Sequence, residues 1–152
     1  MLLRKHSVAL KIIAIALVLS LLLPCSVFAS TIEPNQPYAS KYLTSYNTYV
    51  CAMGSGKIEV WFNVMGTGTM DEIGVLSIML YESTNQSTWT SVKTYSHENY
   101  ASMLEENDYY HCSYVSYQGT AGKYYKAYVC IWAGKDGSGD TRYMWTSVER
   151  AT

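Results

Sequence analysis

Tyr124-Tyr125-Lys126-Ala127-Tyr128-Val129-Cys130-Ile131-Trp132, then Ala133-Gly134-Lys135-Asp136-Gly137-Ser138-Gly139-Asp140, then Thr141-Arg142-Tyr143-Met144-Trp145-Thr146-Ser147-Val148 is the stretch that decides the fold. Its first part is rich in β-branched and aromatic residues, which suit a pleated, half-buried surface. The middle part sets three glycines among polar residues, the chemistry of a turn. The last part carries the chain back, so the stretch predicts a β-hairpin. Side chains alternate across a strand. Tyr125, Ala127, Val129 and Ile131 therefore share one face, and Tyr124, Lys126, Tyr128, Cys130 and Trp132 the other. The first set is the core side, because an unpaired lysine is rarely buried. A lone hairpin is marginal in water, so the rest of the chain must supply partner strands.

Working outward, Tyr42 to Met53 is a tyrosine-rich strand candidate turned by Gly54-Ser55-Gly56. Lys57 to Met65 has the cleanest alternation, with Ile58, Val60, Phe62 and Val64 inward and Lys57, Glu59, Trp61 and Asn63 outward. Gly66 to Gly74 is studded with glycine and predicts a connection. Val75 to Glu82 resumes as a strand with Leu76, Ile78 and Leu80 on one face. Ser83 to Ser87 is turn chemistry, and Thr88 to Tyr95 is a further strand. Ser96 to Asp108 is irregular; its Met103-Leu104 either dips into the core or forms a short helical turn. Tyr109 to Tyr117 is a strand whose inward face alternation does not assign. Seven strands separated by turn signals predict an antiparallel β-sandwich of about seven strands.

The first residues read as an address. Arg4, Lys5 and Lys11 precede an apolar run from Ile12 to Leu23, and Val27-Phe28-Ala29 offers a cleavage site after Ala29. The run is shorter than the ~20 residues a membrane span needs. A lipoprotein anchored at Cys25 is a poor fit, since Pro24 precedes it. The expected organisation is a signal peptide over 1–29, a loose leader over 30–41 and one β-domain over 42–150, secreted and with no stable membrane insertion. Three of the eleven basic residues lie in the signal, leaving eight against twelve acidic ones, a net charge of −4. That balance makes nucleic acid an unsuitable partner. Three cysteines remain, Cys51, Cys112 and Cys130, an odd number that cannot close internally.

Leu80 to Val92 resembles the third and fourth strands of a fibronectin type III or other immunoglobulin-like module. Gly122 to Gly139 is similar to the last hairpin of such modules, with Tyr125 in the place of the corner tyrosine. Tyr128-Val129-Cys130 also resembles the Tyr-x-Cys of immunoglobulin domains, although Cys130 stands on the Lys126 face, away from an intersheet disulfide. Gly66 to Gly74, together with Ala133 to Arg142, resembles an uncharacterised family of small secreted proteins of Gram-positive bacteria, which implies no particular activity.

Chemical candidates are sparse. Asp136, Ser138 and Asp140 have the first spacings of a calcium loop, but Ser147 stands where a bidentate glutamate belongs. No metal or other cofactor is expected. Asp71-Glu72 and Glu105-Glu106-Asp108 are carboxylates of the kind glycosidases use, and a solvated loop explains both. His111 and Cys112 are adjacent, so they point to opposite faces. The chain reads as a non-enzyme. What remains is the outer aromatic surface: Tyr124, Tyr128, Trp132, Tyr143 and Trp145 form the candidate binding face, with Trp61 on a separate patch. Exposed aromatics stack on sugars or anchor proteins, which predicts a secreted binding module for a glycan or protein surface. The alternative is a structural, self-associating envelope protein joined by the odd cysteine or an edge strand. A small secreted hydrolase comes last.

Overall fold

The structure, a computed structural model, describes residues 40–152. The expected signal peptide, its cleavage after Ala29, Cys25 and all but the end of the leader lie outside the described residues. The described chain is all-β: β1 Leu43–Gly54, β2 Lys57–Ser83, β3 Thr90–Ser96, β4 Leu104–Gln118, β5 Tyr124–Lys135, β6 Ser138–Trp145 and β7 Glu149–Arg150, with one 3-10 turn at Ala101–Met103. All strands pair antiparallel in a single curled seven-stranded sheet.

The expected break at Gly66–Gly74 is absent, because β2 runs through it as one strand of 27 residues. The glycines bend the strand instead of ending it. Between Met65 and Met70 the register against β4 jumps, with Met65 opposite Tyr110 and Met70 opposite Asp108. Such a bulge sharpens twist and re-aims the strand. Thr67 holds the bend, its N–H and hydroxyl donating to the carbonyls of Tyr42 and Lys41. The first half of β2 pairs with β1 on one edge and β4 on the other. The second half pairs with β5 on one edge and, on the other, with the start of β4 and then β3.

The curl encloses the core. Ile58, Val60, Phe62, Val64, Ile78, Leu80, Ala127, Val129 and Ile131 are buried as alternation requires. Leu76 is the exception. A second bulge between Val75 and Ser77 sets Val75 opposite Ile131 and turns Ile73 and Val75 inward, leaving Leu76 half-buried. β4 starts five residues earlier than expected, at Leu104, and its inward residues include His111 and Val115. Met103 is both buried and at the end of a short helical turn. The hairpin loop shrinks to Asp136-Gly137, both with positive φ, since Lys135 already pairs with Ser138. Two such residues match the right-handed twist of flanking strands. β6 ends at Trp145, and Thr146 turns inward so that its hydroxyl accepts the Ala127 N–H.

Tyr125 is fully buried, and its hydroxyl accepts from the Thr120 N–H at 2.8 Å and donates to Glu82 at 3.1 Å. Lys123 completes the group with an ion pair to Glu82 at 2.7 Å. A tyrosine hydroxyl bonded to backbone a few residues upstream is the local geometry of a tyrosine corner.

Candidate functional site: an aromatic row on the outer face of the sheet

The outer face of β5 and its neighbours carries a row of rings. Register sets Tyr128 opposite Trp145 on β6 and Met79 on β2, and Lys126 opposite Tyr81. Directly opposed residues share a face, so both Tyr143 and Trp145 turn outward with Tyr128. Tyr128 stacks on Tyr143, with ring centroids 5.8 Å apart and planes 14° from parallel. It also meets Trp145 at 4.8 Å, and Tyr81 meets Trp145 at 5.3 Å. The Lys126 ammonium sits 4.3 Å from the Trp89 ring and 4.4 Å from the Trp145 ring, a cation–π contact to each. Trp89 is fixed in turn by its N–H, which donates to the Gln86 carbonyl. Tyr143 is 62% exposed and Trp145 48%, so the row presents open rings.

Of the five residues expected here, three converge. Tyr128, Tyr143 and Trp145 are in mutual contact through Tyr128. Tyr124 lies at the far end of β5, where its ring faces the Arg150 guanidinium. Trp132 shares the face but serves the hairpin: its indole lies over Gly134 and Gly139, where a Cβ on either glycine would collide with it. Three members lie outside the five expected residues, namely Tyr81, Trp89 and Lys126, of which alternation had already set Lys126 on the Tyr128 face. Alternation from Leu80 already turned Tyr81 outward. Trp89, just before β3, carried no such signal.

Beneath the rings, burial pushes the Cys130 thiol up, against hydrogen bonds to Tyr143 and Ser77 that favour the thiolate. Rings, hydroxyls and one ammonium held between indoles can stack on a planar or apolar ligand face and donate hydrogen bonds to its rim.

Two further groupings stand apart. Strand pairing brings the separate carboxylate clusters together: Glu72 is directly opposite Glu106, and with Asp71, Lys135 and Trp132 they line a cleft of about 510 Å³. Like charges set opposite each other destabilise a ladder. The other grouping is the outer face of β1, β2 and β4, where Trp61 stacks on Tyr114 at 4.6 Å and donates to Glu59. Trp61 thus belongs to a patch separate from the row, although both patches lie on one sheet.

The calcium spacing straddles the two-residue turn, and the Asp140 carboxylate accepts from the Ser40 hydroxyl at 2.5 Å and the Tyr42 N–H at 2.8 Å. Among the described residues no group of three or more His, Cys, Asp or Glu side chains is placed to hold a metal. His111 is buried with its ring nitrogen on the Ser102 carbonyl, while Cys112 faces out.

No family model matches the chain, and no curated protein matches it. Among solved structures the chain is similar to Spo0M, a sporulation control protein from Bacillus subtilis, at 7% identity and a TM-score of 0.39. The likeness covers 67% of this chain and 47% of that one, so the chain spans less than half of Spo0M.

Proposed function

We propose that the protein is a secreted, non-catalytic binding module that contacts an extracellular glycan through the Trp89–Lys126–Trp145–Tyr128–Tyr143 row. The observation that carries this is the near-parallel ring pair of half-buried Tyr128 and exposed Tyr143, continued by half-exposed Trp145. A shallow row of amphipathic rings suits the apolar faces of successive sugars, with hydroxyls and Lys126 supplying hydrogen bonds at their edges. The reading includes export directed by residues 1–29. It also takes the curled sheet as akin to an immunoglobulin-like sandwich, supported by the corner geometry of Tyr125.

The test is retention on insoluble polysaccharides and a glycan array. Trp145→Ala and Tyr143→Ala are each expected to weaken binding by about 1–4 kcal/mol as hot spots while the melting temperature holds. Trp61→Phe, on the other patch, leaves binding unchanged. Loss of binding in Trp61→Phe with retention in the first two would move the site to the β1–β2–β4 face. Absence of glycan retention by the unaltered chain would end the glycan reading.

A further inference from the structure

We infer that the free edge of β4 is a self-association surface, on which a second copy of this chain adds its own β4 antiparallel about a two-fold axis at Cys112. Among the described residues β4 pairs with β2 alone, and none of the backbone–backbone hydrogen bonds outside the strand ladders involves Glu105–Gln118; the Tyr110 N–H is held by the Asp108 carboxylate. The Ser116 carbonyl turns from β2 to accept from the Tyr95 hydroxyl of β3, which closes that end of the edge. The N–H and C=O of one residue in an antiparallel strand point to one side, and the side alternates. Tyr114 and Cys112, two and four residues earlier, therefore turn their backbone groups to the same open edge. Unpaired edges of this kind template a further strand. Beside it lies a groove of about 440 Å³ lined by Tyr100, Ser102 and Ser113–Ser116.

The occupant is read from the symmetry of the strand. Centred on Cys112, antiparallel pairing sets Tyr110 against Tyr114 of the second copy, two rings that are 40% and 44% exposed in this chain. The extended run ends at Asn107, whose φ is +56°, and the same register sets Asp108 against the uncharged Ser116. A two-fold interface is self-complementary in just this way. It also sets Cys112, an exposed free thiol, opposite itself. With their backbone groups facing each other the two Cys112 residues form a hydrogen-bonded pair with Cα atoms about 5.5 Å apart, within the span of a disulfide. With a small disulfide oxidant, one Cys112 thiolate attacks the oxidant and releases one thiol. The second Cys112 then displaces the other half as a second thiol, so two protein thiols become one disulfide as one small disulfide becomes two thiols. The surface lies apart from the aromatic row and does not depend on the glycan reading.

The test treats the purified chain with oxidised glutathione and follows non-reducing gels, with peptide mass mapping of the link. The expected product is a dimer joined Cys112 to Cys112, lost in Cys112→Ser and retained in Cys51→Ser and Cys130→Ser. Register is tested by Tyr110→Glu/Tyr114→Glu and by Tyr110→Lys/Tyr114→Lys. Each is expected to dimerise poorly alone, because like charges then oppose across the axis, and to give mixed dimers when combined; circular dichroism checks that both fold. A chain that stays monomeric under oxidant overturns the inference. So does a link through Cys51 or Cys130, or charge variants that dimerise as well alone as mixed.

Discussion

Glu59 is an outward-facing carboxylate that is nonetheless buried, closed over by its neighbours on β2. Lys57 donates to it at 2.8 Å, Trp61 at 3.0 Å and Ser116 at 3.5 Å. The Lys57 hydrogen bond above all holds its carboxyl below the usual carboxylate range, against the opposing pull of burial. A depressed folded pKa means the ionised form stabilises the fold. That contribution is complete above the unfolded value of about 4.3 and is lost as pH falls through the lower folded value. Glu59→Gln is expected to cost about 1.5–3 kcal/mol at neutral pH, the range for hydrogen bonds to a charged group. The gap from the parent should close below about pH 4. Urea melts across pH check this, and a gap that persists unchanged into acid would show that shape, not charge, is what Glu59 supplies.

At the scale of elements, β2 depends on Gly74, which pairs with Leu104 on one side and Trp132 on the other. Its φ of +147° is one that L side chains rarely adopt, and a Cβ there would strike the Met103 carbonyl oxygen. The obstacle is backbone held at the end of the 3-10 turn, so it cannot swing aside. Gly74→Ala is expected to destabilise by about 3 kcal/mol or more, read by chemical denaturation. Gly68→Ala, where a Cβ meets nothing, should be nearly silent by comparison. The reading of Gly66–Gly74 as a connection rested on glycine count. The structure separates glycines that permit a bend from the one whose backbone angle requires glycine.

The described chain is held by its curled sheet, with no disulfide among the described residues. Cys51 stands opposite Glu59 and Cys112 opposite Asn63, on either side of β2 and four residues apart along it, too far to join. All three described cysteines are free. The thermal transition of Cys112→Ser is therefore expected to be the same with and without reductant; a transition that collapses on reduction would reveal a bridge. The all-β class, the hairpin and the inward faces of β2 and β5 were legible in the sequence, because alternation is a property of neighbours along the chain. So was the outward turn of Tyr128 and Trp132. Leu76 misled because a bulge shifts the alternation by one residue, and a bulge is set by the partner strand. The aromatic row was half legible for the same reason. Tyr81, Trp89 and Lys126 join Trp145 only because β3, β2, β5 and β6 lie side by side in one sheet. The sequence by itself determined which side chains can face outward, since that follows from the period of an extended backbone. Only the tertiary structure decided which of them meet, because pairing and register join residues far apart in the chain.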